Sequence, residues 1–272
     1  MPLPLESILA LAGGVSYHII LGCLYMYGGI SIYLASYYRQ FDSTVTTRFL
    51  VAFLPLRGLM IIFCIPYGAH LTRQYGPRFT TMIGGGTIII CMFALIFVTN
   101  KYLFLLFYSA TFGLSTLNFM APIICSWKHF PSNRGTVSGI VIAGFALGPL
   151  LFNPINKLIV NPKSLPTTIT QVHGDAIDHF YGEEVANNVP TMYLVLLIIW
   201  GIMVCFTYIT LKDPSTISES LYQNIETFSK DENIHDSYLM SRMIFNKNNR
   251  NTIKPVFKEH SHQKEHNALG VL

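Results

Sequence analysis

Arg57 is the side chain in this sequence best placed to do chemistry. It lies in an apolar stretch, residues 49–71, about eight residues from its start, hence roughly 12 Å below the boundary at helical rise. A charge at that depth in a bilayer is costly and faces a cavity or a partner. One reading is electrostatic attraction for an anionic substrate such as a carboxylate. The other is a side chain that snorkels to the nearer interface, or pairs with a carbonyl near Pro55. Other polar groups recur at helical spacing. His18, Gly22, Tyr25, Gly29, Tyr33 and Ser36 follow at steps of three or four, which sets them on one face of a first helix. Thr111, Ser115 and Asn118 share a face further on, and Asn153 precedes Pro154. Such residues line a polar path or serve as interhelical glue. The substrate-path candidates are Arg57, Tyr25, Tyr33, Asn118 and Asn153.

Other chemistries find no support. The sequence holds no G-x-S-x-G, H-E-x-x-H or P-loop pattern, so no enzyme is expected. No acid lies between Arg48 and Gly174, which argues against a helix-borne, proton-coupling carboxylate there. Cys23, Cys64, Cys91, Cys125 and Cys205 form no CxxC pair and read as buried thiols. His260, His262 and His266 make a His-rich tract that reads as solvated. Neither a metal nor a cofactor is expected. No basic patch with interleaved aromatics points to nucleic acid.

The elements that must position these residues are membrane helices. Hydrophobic residues make up 51% of the chain and charged residues only 12%, about half the charge of a soluble domain. A spanning helix needs about 20 mostly apolar residues. Six stretches qualify, at about 10–36, 49–71, 79–98, 102–125, 135–160 and 191–211. The expected fold is an all-α membrane protein with six transmembrane helices over residues 1–211. Residues 212–272 form a polar tail that reads as solvated and largely disordered. Twelve Lys and Arg then share a side with the N-terminus and five lie on the other, which places both termini in the cytoplasm. Eight of the twelve sit in the tail, and the short loops alone divide four against five.

Two stretches carry a family resemblance. The first reads Gly68-Ala-His-Leu-Thr-Arg73-Gln-Tyr-Gly76-Pro77-Arg78. Gly76 suits a turn with φ > 0. Gly68 permits close helix approach, and Arg73 and Arg78 are placed to meet helix C-termini, which carry partial negative charge. This resembles the loop between helices two and three of the major facilitator superfamily, with Thr72 where that loop carries an acid. The second stretch runs from a basic loop of Trp127, Lys128, His129, Phe130, Pro131 and Arg134 into an apolar helix with Gly135, Gly139, Gly144 and Gly148. The order Trp127, Phe130-Pro131, Arg134-Gly135, then glycines and Pro149 resembles the oxalate:formate antiporter branch, related to monocarboxylate transporters. Relative to that pattern, Lys128 and His129 are inserted.

The resemblance covers about residues 10–211. It implies transport of a small mono- or dicarboxylate by alternating access, in a lipid bilayer. It also implies a conformational-loop motif of Gly68, Arg73, Gly76, Arg78, Trp127, Phe130, Pro131, Arg134 and Gly135. This sequence would be the N-terminal six-helix half, completed by a second half or a second copy. The alternative is a truncated, non-transporting scaffold or regulatory half.

Overall fold

The computed structural model describes residues 5–173 and 176–213. Helix α1 (Leu5–Gly22) passes through a 3₁₀ segment, Cys23–Met26, into α2 (Tyr27–Arg39). A short α3 (Thr47–Leu50) leads to α4 (Phe53–Phe97). Helix α5 (Lys101–Gly113) continues through a second 3₁₀ segment, Leu114–Asn118, into α6 (Met120–His129). Then come α7 (Arg134–Val160), strands β1 (Ile169–His173) and β2 (Ala176–Phe180), α8 (Glu183–Ala186) and α9 (Val189–Thr210). Local chemistry sets several ends. Asn100 Oδ1 accepts from the Tyr102 amide at 2.8 Å, and Thr46 Oγ1 accepts from the Phe49 amide at 3.1 Å. Both satisfy first-turn amides that have no partner inside the helix. Proline opens the first turn of α9, where a missing amide costs nothing.

Among the described residues, five helical runs are long and apolar enough to cross a membrane: Leu5–Arg39, Thr47–Phe97, Lys101–His129, Pro131–Val160 and Glu183–Thr210. The count differs from six because the expected second and third spans are joined without a loop in α4. A straight rod of its 45 residues would be about 68 Å long, more than twice a ~30 Å hydrocarbon core. Gly76 interrupts it at φ 83° and ψ 167°, a region open to glycine alone. The chain doubles back there. The Thr72 and Thr80 hydroxyls, eight residues apart, hydrogen-bond at 3.0 Å, whereas a straight helix would hold the two residues about 12 Å apart.

Glycines decide how closely the helices cross. A Cβ added at Gly22 would run into the Phe145 carbonyl of α7, and one at Gly148 would stand 2.5 Å from the Ile19 carbonyl of α1. One at Gly144 would stand 2.7 Å from the Val15 carbonyl. So α1 and α7 meet backbone to backbone. Gly135 and Gly139, nearer the start of α7, face open space. The first arm of α4 meets the 3₁₀ segment of the next span in the same way, with Gly68 against the Leu117 carbonyl.

Aromatic rings fill the middle. Phe53 packs on Tyr27 at 4.7 Å and Tyr108 at 4.8 Å, and Phe104 stacks on Tyr108 at 5.0 Å. Trp200 stands edge-on to Phe112 and Phe152. Outside this core, large apolar side chains such as Leu59, Phe63, Ile90, Phe97, Leu158 and Ile202 are exposed. An apolar surface of that extent requires lipid, and the chain is an integral multi-pass membrane protein.

The spanning body is helical, but the connection between α7 and α9 is not. It contains the antiparallel β1–β2 hairpin, with Ile169 opposite Phe180. The hairpin docks on the end of α2. The Tyr181 amide donates to Ser36 Oγ at 2.9 Å, and the Arg39 guanidinium lies 4.5 Å from the Phe180 ring centre. Residues 214–272, most of the expected tail, and with them His260, His262 and His266, lie outside the described residues.

Candidate functional site

The expected single face of the first span is divided by its 3₁₀ segment. Three residues per turn in place of 3.6 advance each residue by about 20° more, so four residues turn the face by roughly 80°. Before the break, His18 and Gly22 are buried, with His18 between the rings of Phe119 and Phe145. Within it, Tyr25 is 66% exposed. After it, Gly28 and Gly29 are open to the surface.

Arg57 sits in the first turns of α4 and is half-buried. Its Nε is buried without a hydrogen-bond partner. Tyr25 lies within electrostatic reach of its guanidinium. The ion pairs among the described residues join other groups: Lys101 with Asp42, Lys128 with Asp213, and Lys163 with Glu184. Among the described residues, no carboxylate pairs with Arg57.

Helix α7 approaches the same segment. A Cβ at Gly29 would stand 2.6 Å from Asn153 Oδ1, itself buried and unpartnered. Asn156, one turn on, donates from Nδ2 to Met26 Sδ at 3.2 Å. Asn156 was missed in the sequence, although its spacing from Asn153 around Pro154 is the signal that would have found it. Arg57 thus lies near Tyr25, and Asn153 lies against Gly29, four residues further along the same span. The chemistry available is charge attraction and hydrogen-bond donation to an anion.

The other two path candidates lie elsewhere. Tyr33 is 7% exposed and stacks on Tyr181 at 4.9 Å, so it holds the hairpin. Asn118 is fully buried and accepts from Thr81 Oγ1 at 3.0 Å; beside it, the Tyr17 hydroxyl donates to the Ser115 carbonyl at 2.8 Å. That network pins the second 3₁₀ segment to α1 and to the second arm of α4. Thr111 instead bonds back to the Phe107 carbonyl of its own helix, α5.

The loop-motif residues cluster at the opposite end. Arg78 donates to the Ile209 carbonyl at 3.3 Å, capping the end of α9. Arg73 and Arg134 are exposed, with no ion pair among the described residues. Trp127 Nε1 donates to Ser138 Oγ at 2.7 Å, which ties α6 to α7 across Phe130 and Pro131. The two inserted residues also bond to other elements here. Lys128 pairs with Asp213 at 2.9 Å. His129 Nε2 donates to the Lys212 carbonyl at 2.9 Å, and its Nδ1 meets Ser7 Oγ at 3.2 Å. The start of α1, the end of α6 and the exit from α9 are fastened together.

No family model matches the chain. Among curated proteins it is similar to Apicoplast pyruvate carrier 1 of Toxoplasma gondii, 24% identical over 251 residues, covering 77% of this chain and 46% of the relative. The chain spans about half the length of the curated relative it matches. This corrects the placement in the major facilitator superfamily and its oxalate:formate antiporter branch. The motifs behind that placement are short, and glycines, prolines and basic loop residues recur in helical membrane proteins for packing and orientation. The similarity that runs along the chain is to a pyruvate carrier.

Proposed function

We propose that this chain is part of a carrier for a small organic anion, a carboxylate, and not an enzyme. Arg57 draws the anion, and Tyr25 and Asn153 offer hydrogen bonds around residues 25–29. The observation that carries this is Arg57 itself, a half-buried charge with an unpartnered Nε and no ion pair among the described residues. The substrate class follows the name of the relative, a pyruvate carrier. An organellar membrane is the corresponding location.

The finer architecture belongs to the same proposal. Each arm of α4 crosses the bilayer, which gives six crossings within residues 1–211, both termini in the cytoplasm, and a polar tail beyond. Transport proceeds by alternating access, with the 3₁₀ segments at Cys23–Met26 and Leu114–Asn118 as the points of flexure. Because the similarity covers 46% of the relative, a further segment or a second copy completes the path.

The test is uptake of labelled pyruvate and other small carboxylates into proteoliposomes holding the purified chain. Saturable uptake that falls about tenfold or more in Arg57→Ala, the worth of one charge-assisted hydrogen bond, and partly survives in Arg57→Lys supports the proposal. A folded, inserted chain with no uptake, alone or as a dimer, would mean that a further segment is required or that the chain is a non-transporting scaffold or regulatory half.

A further inference from the structure

An open groove of about 800 Å³ runs between α9 and the second arm of α4. Ile90 and Phe93 form one wall, and Ile198, Ile202, Phe206 and Ile209 the other. Gly201 lies in the second wall, and a Cβ added there meets nothing within 4 Å. The α9 wall runs from Leu197 to Ile209, about 18 Å at 1.5 Å per residue. That is slightly more than half of a roughly 30 Å hydrocarbon core, the depth of one leaflet.

At its Ile209 end the groove reaches a charge. Arg78 donates to the Ile209 carbonyl at 3.3 Å, and its guanidinium lies 5.8 Å from the Tyr208 ring centre. That bond uses one of the five donors of the fork. The side chain is exposed, and no ion pair among the described residues includes it. Tyr208 is 43% exposed beside it, an aromatic placed as at a headgroup boundary.

We propose that this groove binds an anionic phospholipid, with one acyl chain along α9 and the phosphate on Arg78. The length of the apolar wall selects a chain from one leaflet. The Arg78 charge at its mouth, in no ion pair among the described residues, selects the headgroup, because a zwitterionic lipid brings an ammonium to the same place. The site is independent of Arg57 and of transport.

The experiment titrates the detergent-purified, delipidated chain with phosphatidylglycerol or phosphatidylcholine of identical acyl chains. Lipid retained in native mass spectrometry and the thermal midpoint are the readouts. Phosphatidylglycerol is expected to bind about fivefold more tightly, the worth of one basic residue at an anionic surface. Arg78→Gln removes that preference and Arg78→Lys keeps it. Gly201→Leu fills the groove and weakens retention of both lipids. Equal binding of the two lipids by the unaltered chain, or a preference that survives in Arg78→Gln, overturns the proposal. Should Arg78→Gln fail to fold, Gly201→Leu decides, since unchanged retention in that variant also overturns it.

Discussion

Thr72 Oγ1 and Thr80 Oγ1 lie 3.0 Å apart, hydrogen-bonded across the reversal of the chain at Gly76. Thr72 also donates to the Gly68 carbonyl at 2.8 Å, so one buried hydroxyl links the helix before the turn to the helix after it. Thr72→Val keeps the shape and removes the link. It is expected to lower stability by about 1 kcal/mol. Gly76→Ala, at φ 83°, costs about 1–3 kcal/mol through backbone strain. Thermal unfolding in detergent measures both, and a midpoint unchanged by Gly76→Ala would contradict the turn geometry.

The crossing of α1 and α7 makes a prediction with an internal control. A Cβ at Gly148 lies 2.5 Å from the Ile19 carbonyl and 2.7 Å from the Cys23 amide nitrogen. Gly148→Ala therefore pushes two backbones apart and is expected to cost roughly 1–3 kcal/mol. Gly139→Ala, on the same helix but in open space, should fall within about 0.5 kcal/mol of the unaltered chain.

At the end of the bundle that holds the loop motif, His129 bridges Ser7 and the Lys212 carbonyl. A carbonyl only accepts, so Nε2 carries a proton, and in the neutral ring Nδ1 accepts from the serine. Cys125 donates to the same carbonyl at 3.2 Å and is fully buried. His129→Ala should loosen this fastening and raise maleimide labelling of Cys125 about tenfold, from the loss of one to two hydrogen bonds. Cys205, which is exposed, is first replaced by Ser so that Cys125 can be read.

The opposite end answers to acid. The Lys101 ammonium and the Thr44 hydroxyl and amide hold the Asp42 carboxyl well below its ordinary range. A folded-state value below the unfolded one means a contribution fully present above about pH 4 and lost as pH falls through the folded value. Asp42→Asn should lower the thermal midpoint at pH 7. The difference should shrink progressively below pH 4, and also in high salt, because the pair is partly exposed. A difference that grew on acidification would contradict the assignment.

The candidate site was legible in part. Arg57 stood out because a charge in an apolar run is conspicuous whatever surrounds it; in the structure Tyr25 lies near it, and Asn153 lies against Gly29. Tyr33 and Asn118 satisfied the same criterion of a polar residue at helical spacing, yet one carries the hairpin and the other a buried network. Periodicity assumes a constant 3.6 residues per turn, and the 3₁₀ segments break that assumption at Cys23–Met26 and Leu114–Asn118. The inserted Lys128 and His129 were visible only as departures from a motif, because their partners Asp213, Ser7 and Lys212 are distant in sequence.

The sequence by itself determined that the chain lives in lipid, where its apolar stretches lie, and that Arg57 stands in one of them. Those properties follow from transfer energies, which each residue carries with it. It also marked the turn at Gly76, since φ > 0 is a local demand. Only the tertiary structure decided that the helices on either side of Gly76 continue without a loop, and that α1 and α7 touch through Gly22, Gly144 and Gly148 but not through Gly135 or Gly139. It alone decided which polar side chains meet one another. Those outcomes depend on helix phase and on the closeness of neighbouring backbones, which exist only once the helices have packed.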